Sequence, residues 1–447
     1  MRRRLFDQEK LLVPATIERS DAERWDMARF GYFVPEFPGQ THGFFWRELR
    51  ALQQLGQEPE PISTRPPRQR APAPEWAPTG IAPTHYLTPP SIKTVVGGST
   101  RALRALADRR RAALILSMVR PKEISPAIGN LQLDYRFARS VALLWAGAEL
   151  ARYAKARHWD HVHVHSCADA AQVALFAHAI SGIPYSLTLH GPLSDYGPNQ
   201  FRKWQNADFS VVITARLLAE VREQLGGHLP GEVRVAPMGV DLDSFTRQAP
   251  YEPWPGHGQT RIFCCGRLNP SKGHSDLLKA VRILVSSGLD TLLTLAGEDE
   301  VGGTGYRLEL ERQVSELGLE RHVRLLGAVP ERTVRDELAA AHLFALASHS
   351  EPLGVAIMEA MAMGVPVVVT SAGGVRELVV GEESGILVEP HNPPQLANAI
   401  IGLLENPGKA VAMGQQGRSR IEQAFDVRTS ALVLAELMES KIRRGTV

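Results

Sequence analysis

His161-Val162-His163-Val164-His165 reads as a short strand, Ala168 to Ser181 as a helix, and Pro184-Tyr185-Ser186-Leu187-Thr188-Leu189 as a second strand. The unit recurs at once. Ser210-Val211-Val212-Ile213-Thr214 is followed by a helix from Ala215 to Leu225 and by Val233-Arg234-Val235-Ala236. Short apolar strands that alternate with helices need crossover connections, and these lay helices on both faces of a parallel sheet. Upstream, Phe30-Gly31-Tyr32-Phe33-Val34-Pro35 reads as the first strand, Glu36 to Gly43 as a turn, and Phe44 to about Leu55 as a helix. The Pro-rich stretch from Glu58 to Pro90 supports no single assignment, and residues 1–25 read as an N-terminal tail.

Downstream, the Pro- and Gly-rich piece from Gln248 to Gln259 interrupts the alternation as an interdomain linker would. A second series follows, with strands at Arg261–Gly266, Thr291–Gly297, Val323–Gly327, Leu343–Leu346, Val367–Val369 and Gly385–Val388. Helices at Ser275–Ser286, Tyr306–Leu317 and Glu331–Ala341 lie between them. The expected architecture is α/β, with two doubly wound, Rossmann-like domains at 26–247 and 248–428 facing a central cleft. Ligands then belong at the carboxyl ends of the strands.

Composition sets limits. The chain of 447 residues is 44% hydrophobic, enough for two cores. A net charge of +2 makes nucleic acid an unlikely partner by electrostatics. No window approaches about 18 consecutive apolar residues, and Met1-Arg2-Arg3-Arg4-Leu5-Phe6-Asp7 lacks the apolar run of an export signal. The three cysteines, Cys167, Cys264 and Cys265, form neither a disulfide framework nor a zinc spacing, so a reducing cytoplasm is expected. From Arg101 to Lys122, basic residues interleave with Leu103, Leu106, Leu114, Ile115, Leu116 and Met118. Two readings stay open there: contact with an anionic membrane surface, or a solvated helix with its leucines turned inward.

Chemistry concentrates in Ser350-Glu351-Pro352-Leu353-Gly354-Val355-Ala356-Ile357-Met358-Glu359. Glu351 sits in a Pro- and Gly-containing turn and Glu359 inside the helix that follows. On one continuous helix they would stand roughly 12 Å apart along the axis, against the roughly 5 Å of a nucleophile and acid pair. Such a gap suits an elongated ligand with hydroxyls at two ends and a diphosphate between them, met by the helix N-terminus. A nucleotide sugar has that shape. Gly266-Arg267-Leu268-Asn269-Pro270-Ser271-Lys272-Gly273-His274 lies between a strand and a helix, where Arg267 and Lys272 can neutralise a diphosphate. Thr188-Leu189-His190-Gly191 puts His190 at a strand end in the first domain. His161, His163 and His165 share one face of their strand, but no other His, Cys or Asp spacing supports a metal site, and none is expected.

Glu351 and Glu359, with Ala360-Met361-Ala362 and Gly364-Val365-Pro366-Val367-Val368, resemble the paired-glutamate segment of the retaining glycosyltransferases of family 4, with Leu353 where phenylalanine is usual. Gly266-Arg267 with Lys272-Gly273, Thr188 to Gly191, and Pro38-Gly39-Gln40-Thr41 resemble further motifs of that family, although one of the usual paired glycines is Gln40 here. Gly373-Gly374 before Glu377 resembles a structural turn of the family. The order of motifs is similar to the GT-B fold from Arg29 to about Phe425, with a last helix at 429–447 crossing back onto the first domain.

The resemblance implies transfer of a sugar, with retention, from a UDP- or GDP-sugar to a glycan, lipid-linked or small-molecule hydroxyl. Glu359 would hold the ribose, and Glu351 the donor sugar with the backbone around Leu353, Gly354 and Val355. Arg267 and Lys272, beside Gly266 and Gly39, would hold the diphosphate. His190 would close the sugar pocket, and Asp195 and Thr41 would face the acceptor. It implies no metal or other cofactor, and a setting in bacterial exopolysaccharide (colanic-acid-type) or lipid-linked glycan assembly at the inner membrane face. A GT-B phosphorylase, a nucleotide-sugar epimerase and a non-catalytic sugar-nucleotide-binding subunit of an assembly complex remain alternatives.

Overall fold

A computed structural model describes residues 27–38, 43–66, 84–88, 92–119, 130–299 and 305–445. The first sheet holds β1 (Arg29–Glu36), β2 (Glu58–Arg65), β3 (His85–Tyr86), β4 (His161–Val164), β5 (Tyr185–Leu189), β6 (Ser210–Val212) and β7 (Val233–Val235). Their spatial order is β3-β2-β1-β4-β5-β6-β7. The second holds β8 (Thr260–Cys265), β9 (Thr291–Ala296), β10 (Val323–Gly327), β11 (Leu343–Leu346), β12 (Val367–Thr370) and β13 (Ile386–Val388), in the order β10-β9-β8-β11-β12-β13. Among the described residues every pairing between these strands is parallel. The strand order reverses between β1 and β4 in one sheet and between β8 and β11 in the other. Each reversal parts the flanking loops and opens a crevice at the strands' carboxyl ends.

In the first half the helices are α1 (Gly43–Gln54), α2 (Ile92–Leu106), α3 (Arg109–Val119), α4 (Asn130–Arg157), α5 (Asp169–Ser181), α6 (Gln200–Gln205) and α7 (Ala215–Leu225). The second half has α8 (His274–Ser286), α9 (Tyr306–Glu316), α10 (Glu331–Ala340), α11 (Val355–Ala362), α12 (Val375–Leu378), α13 (Pro393–Leu404) and α14 (Pro407–Ala424). Central strands β4, β5, β11 and β12 are buried along their whole length, as a sheet covered on both faces requires.

The Pro-rich stretch from Glu58 does form a strand. The Glu58 N–H bonds back to Ala28 O, so in β2 the alternate positions Pro59 and Pro61 aim their missing donors away from β1. That side is occupied by β3 only at Ile62 and Ser63, and the prolines cost no ladder bond. The basic segment breaks into α2 and α3 at Asp108, whose Oδ1 accepts from the N–H groups of Arg110 and Arg111. Ile115 and Met118 turn inward, whereas Leu103, Leu106 and Leu116 are exposed among the arginines.

Two of the three histidines of the stripe, His161 and His163, are satisfied by hydroxyls. His161 Nε2 and His163 Nδ1 lie 2.8 and 2.7 Å from Ser186 Oγ, and His163 Nε2 lies 2.8 Å from Thr188 Oγ1. Burial lowers all three imidazoles below their ordinary range, His161 to about 3.

A last helix, α15 (Val427–Gly445), returns from the second sheet to the first. Its Ala431, Leu434, Leu437 and Met438 share a core with Phe45, Trp46 and Leu49 of α1 and with Phe30 and Tyr32 of β1. The crossing is fastened by Val240 N–H to Phe425 O at 2.9 Å and Val427 N–H to Val240 O at 3.1 Å.

Candidate active site

Between the two sheets lies a cavity of about 390 Å³, in the size range of small-molecule sites. Its walls come from the two crevices. Gly266, Arg267 and Lys272 follow β8, and Glu351 to Gly354 follow β11. Glu359 lies on α11, and His190, Phe44 and Arg47 come from the first half.

Lys272 stands on a short 3-10 turn, Pro270–Lys272, that ends at Gly273. Gly273 has φ 65°, and a Cβ there would lie 1.8 Å from Ala347 O, so only glycine lets this loop rest against the segment leading to Glu351. The result is close contact: Lys272 Nζ is 2.5 Å from Glu351 Oε2, which also accepts from Ser348 Oγ at 3.1 Å. The Glu351 turn is supported from the other side by Gly373, φ 60°, where a Cβ would meet Glu351 O at 2.1 Å. The Gly374 N–H bonds that same carbonyl at 2.9 Å. Glu377, at the end of this turn, reaches across to the first half and accepts from the first N–H groups of α7, Ala215 at 2.7 Å and Arg216 at 2.9 Å. A carboxylate at a helix N-terminus meets both the unpaired donors and the positive end of the dipole.

Gly354, φ 103°, starts α11 without any side-chain cap, and the first residues of that helix line the cavity. Its first-turn N–H groups are therefore available to an anion. Leu353 is 1% exposed, so its side chain belongs to the core and its backbone is what it can offer a ligand.

Glu359 is buried and bound by Arg47 of α1, Nη2 to Oε1, at 2.7 Å. The same nitrogen lies 2.8 Å from Glu331 Oε2 on α10. Burial raises the Glu359 carboxyl above its ordinary range against the opposing pull of Arg47. For Arg47, burial alone would lower the guanidinium, but Glu359 and Glu331 outweigh it and hold the cation. The guanidinium also stacks 4.7 Å from the Phe245 ring centre.

His190 lines the cavity beside Phe44 and meets Phe45 edge-on at 5.3 Å between ring centres. Behind it, His165, the first residue past β4, places Nδ1 3.3 Å from His190 Nε2. His165 Nε2 in turn lies 3.2 Å from Glu48 Oε2. Glu48 accepts from Tyr32 Oη at 2.7 Å, and burial pushes its carboxyl up to about 7 despite hydrogen bonds from Tyr32 and Ser430.

The residues expected from the sequence divide as follows. Arg267, Lys272, Glu351, Glu359, His190, Gly266, Leu353, Gly354 and Val355 all line one cavity. Asp195 does not line it; it is exposed on the 3-10 turn Leu193–Tyr196. Gly39 and Thr41 lie outside the described residues, and the next described residues, Gly43 and Phe44, are in the wall. Sequence reasoning missed Arg47, Glu48 and Glu331, and weighed His165 only as a metal ligand. For Arg47 one local signal existed: it shares a helical face with Phe44 and Ala51, where a charge without a distant partner would be costly.

Comparison with known proteins agrees with the two-sheet fold. Residues 96–244 match the family model described as Glycosyltransferase Family 4, and residues 254–420 the model described as Glycosyl transferases group 1. The chain is 32% identical over 217 residues to a GDP-mannose-dependent alpha-(1-6)-phosphatidylinositol monomannoside mannosyltransferase of Mycolicibacterium smegmatis. That match covers 46% of this chain and spans only 56% of the relative's length. It is 27% identical over 325 residues to a glycogen synthase of Mycobacterium tuberculosis, covering 69% of this chain and 76% of the relative. Among solved structures, sucrose-phosphate synthase from Thermosynechococcus elongatus superposes with a TM-score of 0.68 at 20% identity, covering 93% of this chain and all (100%) of that one. Anabaena HepE in complex with UDP and glucose gives 0.64 at 20% identity, covering 92% of this chain and 100% of the other. The chain has the two-domain GT-B fold of the glycosyltransferases. The first of the two family matches falls within the first half of this fold and the second within the second half.

Proposed function

We propose that the protein is a retaining glycosyltransferase that moves a sugar from a UDP- or GDP-sugar to a hydroxyl of a glycan, lipid-linked or small-molecule acceptor. The observation that carries this reading is the convergence of Arg267, Lys272, Glu351, Glu359 and the open N-terminus of α11 on one cavity between the two sheets.

In this reading the diphosphate sits between Arg267, Lys272 and the first turn of α11, which together stabilise the charge that grows as the sugar departs. Glu359 exchanges its bond to Arg47 for the ribose hydroxyls, and Glu351 with the backbone at Gly354 holds the donor sugar. Glu351 is assigned to the donor sugar's hydroxyls and Glu359 to the ribose, so this reading leaves no carboxylate pair for a double displacement. The acceptor hydroxyl therefore attacks the anomeric carbon on the face from which the phosphate leaves. The carbon–phosphate oxygen bond breaks, the carbon–acceptor oxygen bond forms, and the acceptor proton passes to the leaving phosphate oxygen. His190, set by its neighbours Phe45 and His165, closes the sugar end of the cavity. The residues assigned here need no bound metal for these steps.

On the acceptor side, Leu103, Leu106 and Leu116 stand exposed among Arg104, Arg109, Arg110 and Arg111. This supports a peripheral seat on an anionic membrane, at the cytoplasmic face, for a lipid-linked acceptor in exopolysaccharide-type assembly. No helix among the described residues is long and apolar enough to cross a membrane. Flotation with anionic and neutral liposomes tests the seat, and equal indifference to both would remove it.

The activity is tested with a panel of UDP-, GDP- and ADP-sugars scored for thermal stabilisation and for release of nucleoside diphosphate. Anomeric analysis of the product by NMR then tests retention. We expect one base to dominate and the product to keep the donor's configuration. No stabilisation by any sugar nucleotide, or an inverted product, would overturn the assignment.

A further inference from the structure

Outside the cavity wall, three side chains far apart in sequence meet behind the loops that carry Lys272 and Glu351. Asp276 is in the first turn of α8, His349 precedes Glu351 by two positions, and His391 lies between β13 and α13. His349 Nε2 is 2.8 Å and His391 Nδ1 3.6 Å from the same oxygen, Asp276 Oδ2. One ligand atom from each of the three lies within 4.8 Å of the others, and the two imidazole rings are 3.7 Å apart between centres. A tetrahedral ion with bonds of about 2.0–2.2 Å holds its ligands roughly 3.3–3.5 Å from one another. The distances to Asp276 straddle that value, and the exposed His391 ring must swing away from its stacking on His349 to admit an ion.

The surroundings favour a built site. Asp276 is buried, and its second oxygen is engaged by Lys279 Nζ at 3.3 Å, which leaves Oδ2 to the histidines. The His349 backbone is fixed by its N–H bond to Ser271 O at 2.7 Å. His391 has φ 60°, a backbone region where glycine would be the unstrained choice, yet an imidazole is presented there. Two imidazole nitrogens and one carboxylate oxygen suit zinc, nickel or copper, not the all-oxygen preference of calcium or magnesium.

We propose that Asp276, His349 and His391 form a binding site for one divalent transition-metal ion of the zinc class. The ion would clip together the start of α8, the segment entering Glu351 and the β13–α13 connection, holding the loops of Lys272 and Glu351 from behind. It would take no part in sugar transfer, and its presence does not depend on the activity proposed above.

Equilibrium dialysis of the tag-free full-length chain against zinc chloride, with the bound metal counted by mass spectrometry, measures the site. Electron paramagnetic resonance of the copper(II)-loaded protein counts nitrogen ligands. We expect one saturable zinc per chain and a copper spectrum with two imidazole nitrogens. In His391→Gly, zinc affinity falls by more than about 10-fold, by analogy with the cost of losing metal-supporting groups, and one nitrogen disappears. That substitution eases the backbone at φ 60°, so a metal-free melting temperature equal to the parent's excludes misfolding as the cause. Asp276→Asn provides a second test that leaves both imidazoles in place and should also weaken zinc. Absence of saturable zinc binding in the parent, or parent-like zinc binding and copper spectrum in His391→Gly, would overturn the proposal.

Discussion

Lys272 and Glu351 neutralise each other across 2.5 Å, and a diphosphate entering the cavity competes with Glu351 for the ammonium. Lys272→Ala should lower turnover on the order of 100-fold, the cost of removing one donor aimed at developing negative charge. Single-turnover kinetics at saturating donor checks this, and near-normal turnover would contradict the role. Glu48 makes a pH-dependent prediction. Its folded carboxyl is raised to about 7 by burial, above an ordinary value of 4.5, so keeping it ionised opposes folding. The penalty is absent below about pH 4.5, grows as pH rises, and is complete above about pH 7. Relative to the parent, Glu48→Gln should gain stability with rising pH across that window, by up to about 3 kcal/mol at pH 8. Urea denaturation of both proteins at pH 5 and pH 8 measures the difference, and a pH-independent gap between them would show that the carboxyl titrates elsewhere.

At the scale of elements, the phosphate-facing loop depends on Gly273. Gly273→Ala adds a methyl group 1.8 Å from Ala347 O at a left-handed φ, so the loop must leave the Glu351 segment or the whole region must shift. We expect a loss of more than about 2 kcal/mol in stability together with weakened nucleotide binding, measured by denaturation and by calorimetry. Elements differ in how plainly the sequence announces them. Runs such as Phe344-Ala345-Leu346 and Val367-Val368-Val369 are buried on both faces, and continuous apolar residues between helices have no better explanation than a parallel strand. β2 was illegible because Pro59 and Pro61 argue against a strand until the short reach of β3 is known. The break at Asp108 was hidden for a different reason: a capping aspartate within a basic run reads equally well as one more charge on a helix. Arg267, Lys272 and Glu351 were legible because their loops follow strands in sequence, and Glu359 because it lies in the helix that starts from the Glu351 turn. Arg47 meets Glu359 only through tertiary folding, 312 residues away along the chain.

For the molecule as a whole, Arg47 ties the first half to α10 and α11 of the second. Arg47→Ala leaves Glu359 buried without its cation and should cost about 3–5 kcal/mol, as when one member of a buried pair is removed. The ligand-free protein should also expand, because this tie crosses the cleft. Small-angle X-ray scattering of the variant should give a larger radius of gyration than the parent, and an unchanged value would mean that Glu377 at the start of α7 and the α15 crossing hold the halves together without it. The route of α15 has a consequence for anyone who would divide this protein. A fragment ending at the connection near residue 250 lacks the helix that covers Phe45, Trp46 and Leu49, and would carry an uncovered greasy flank. Such a fragment should aggregate when made alone and regain solubility when a peptide spanning 427–445 is supplied in trans.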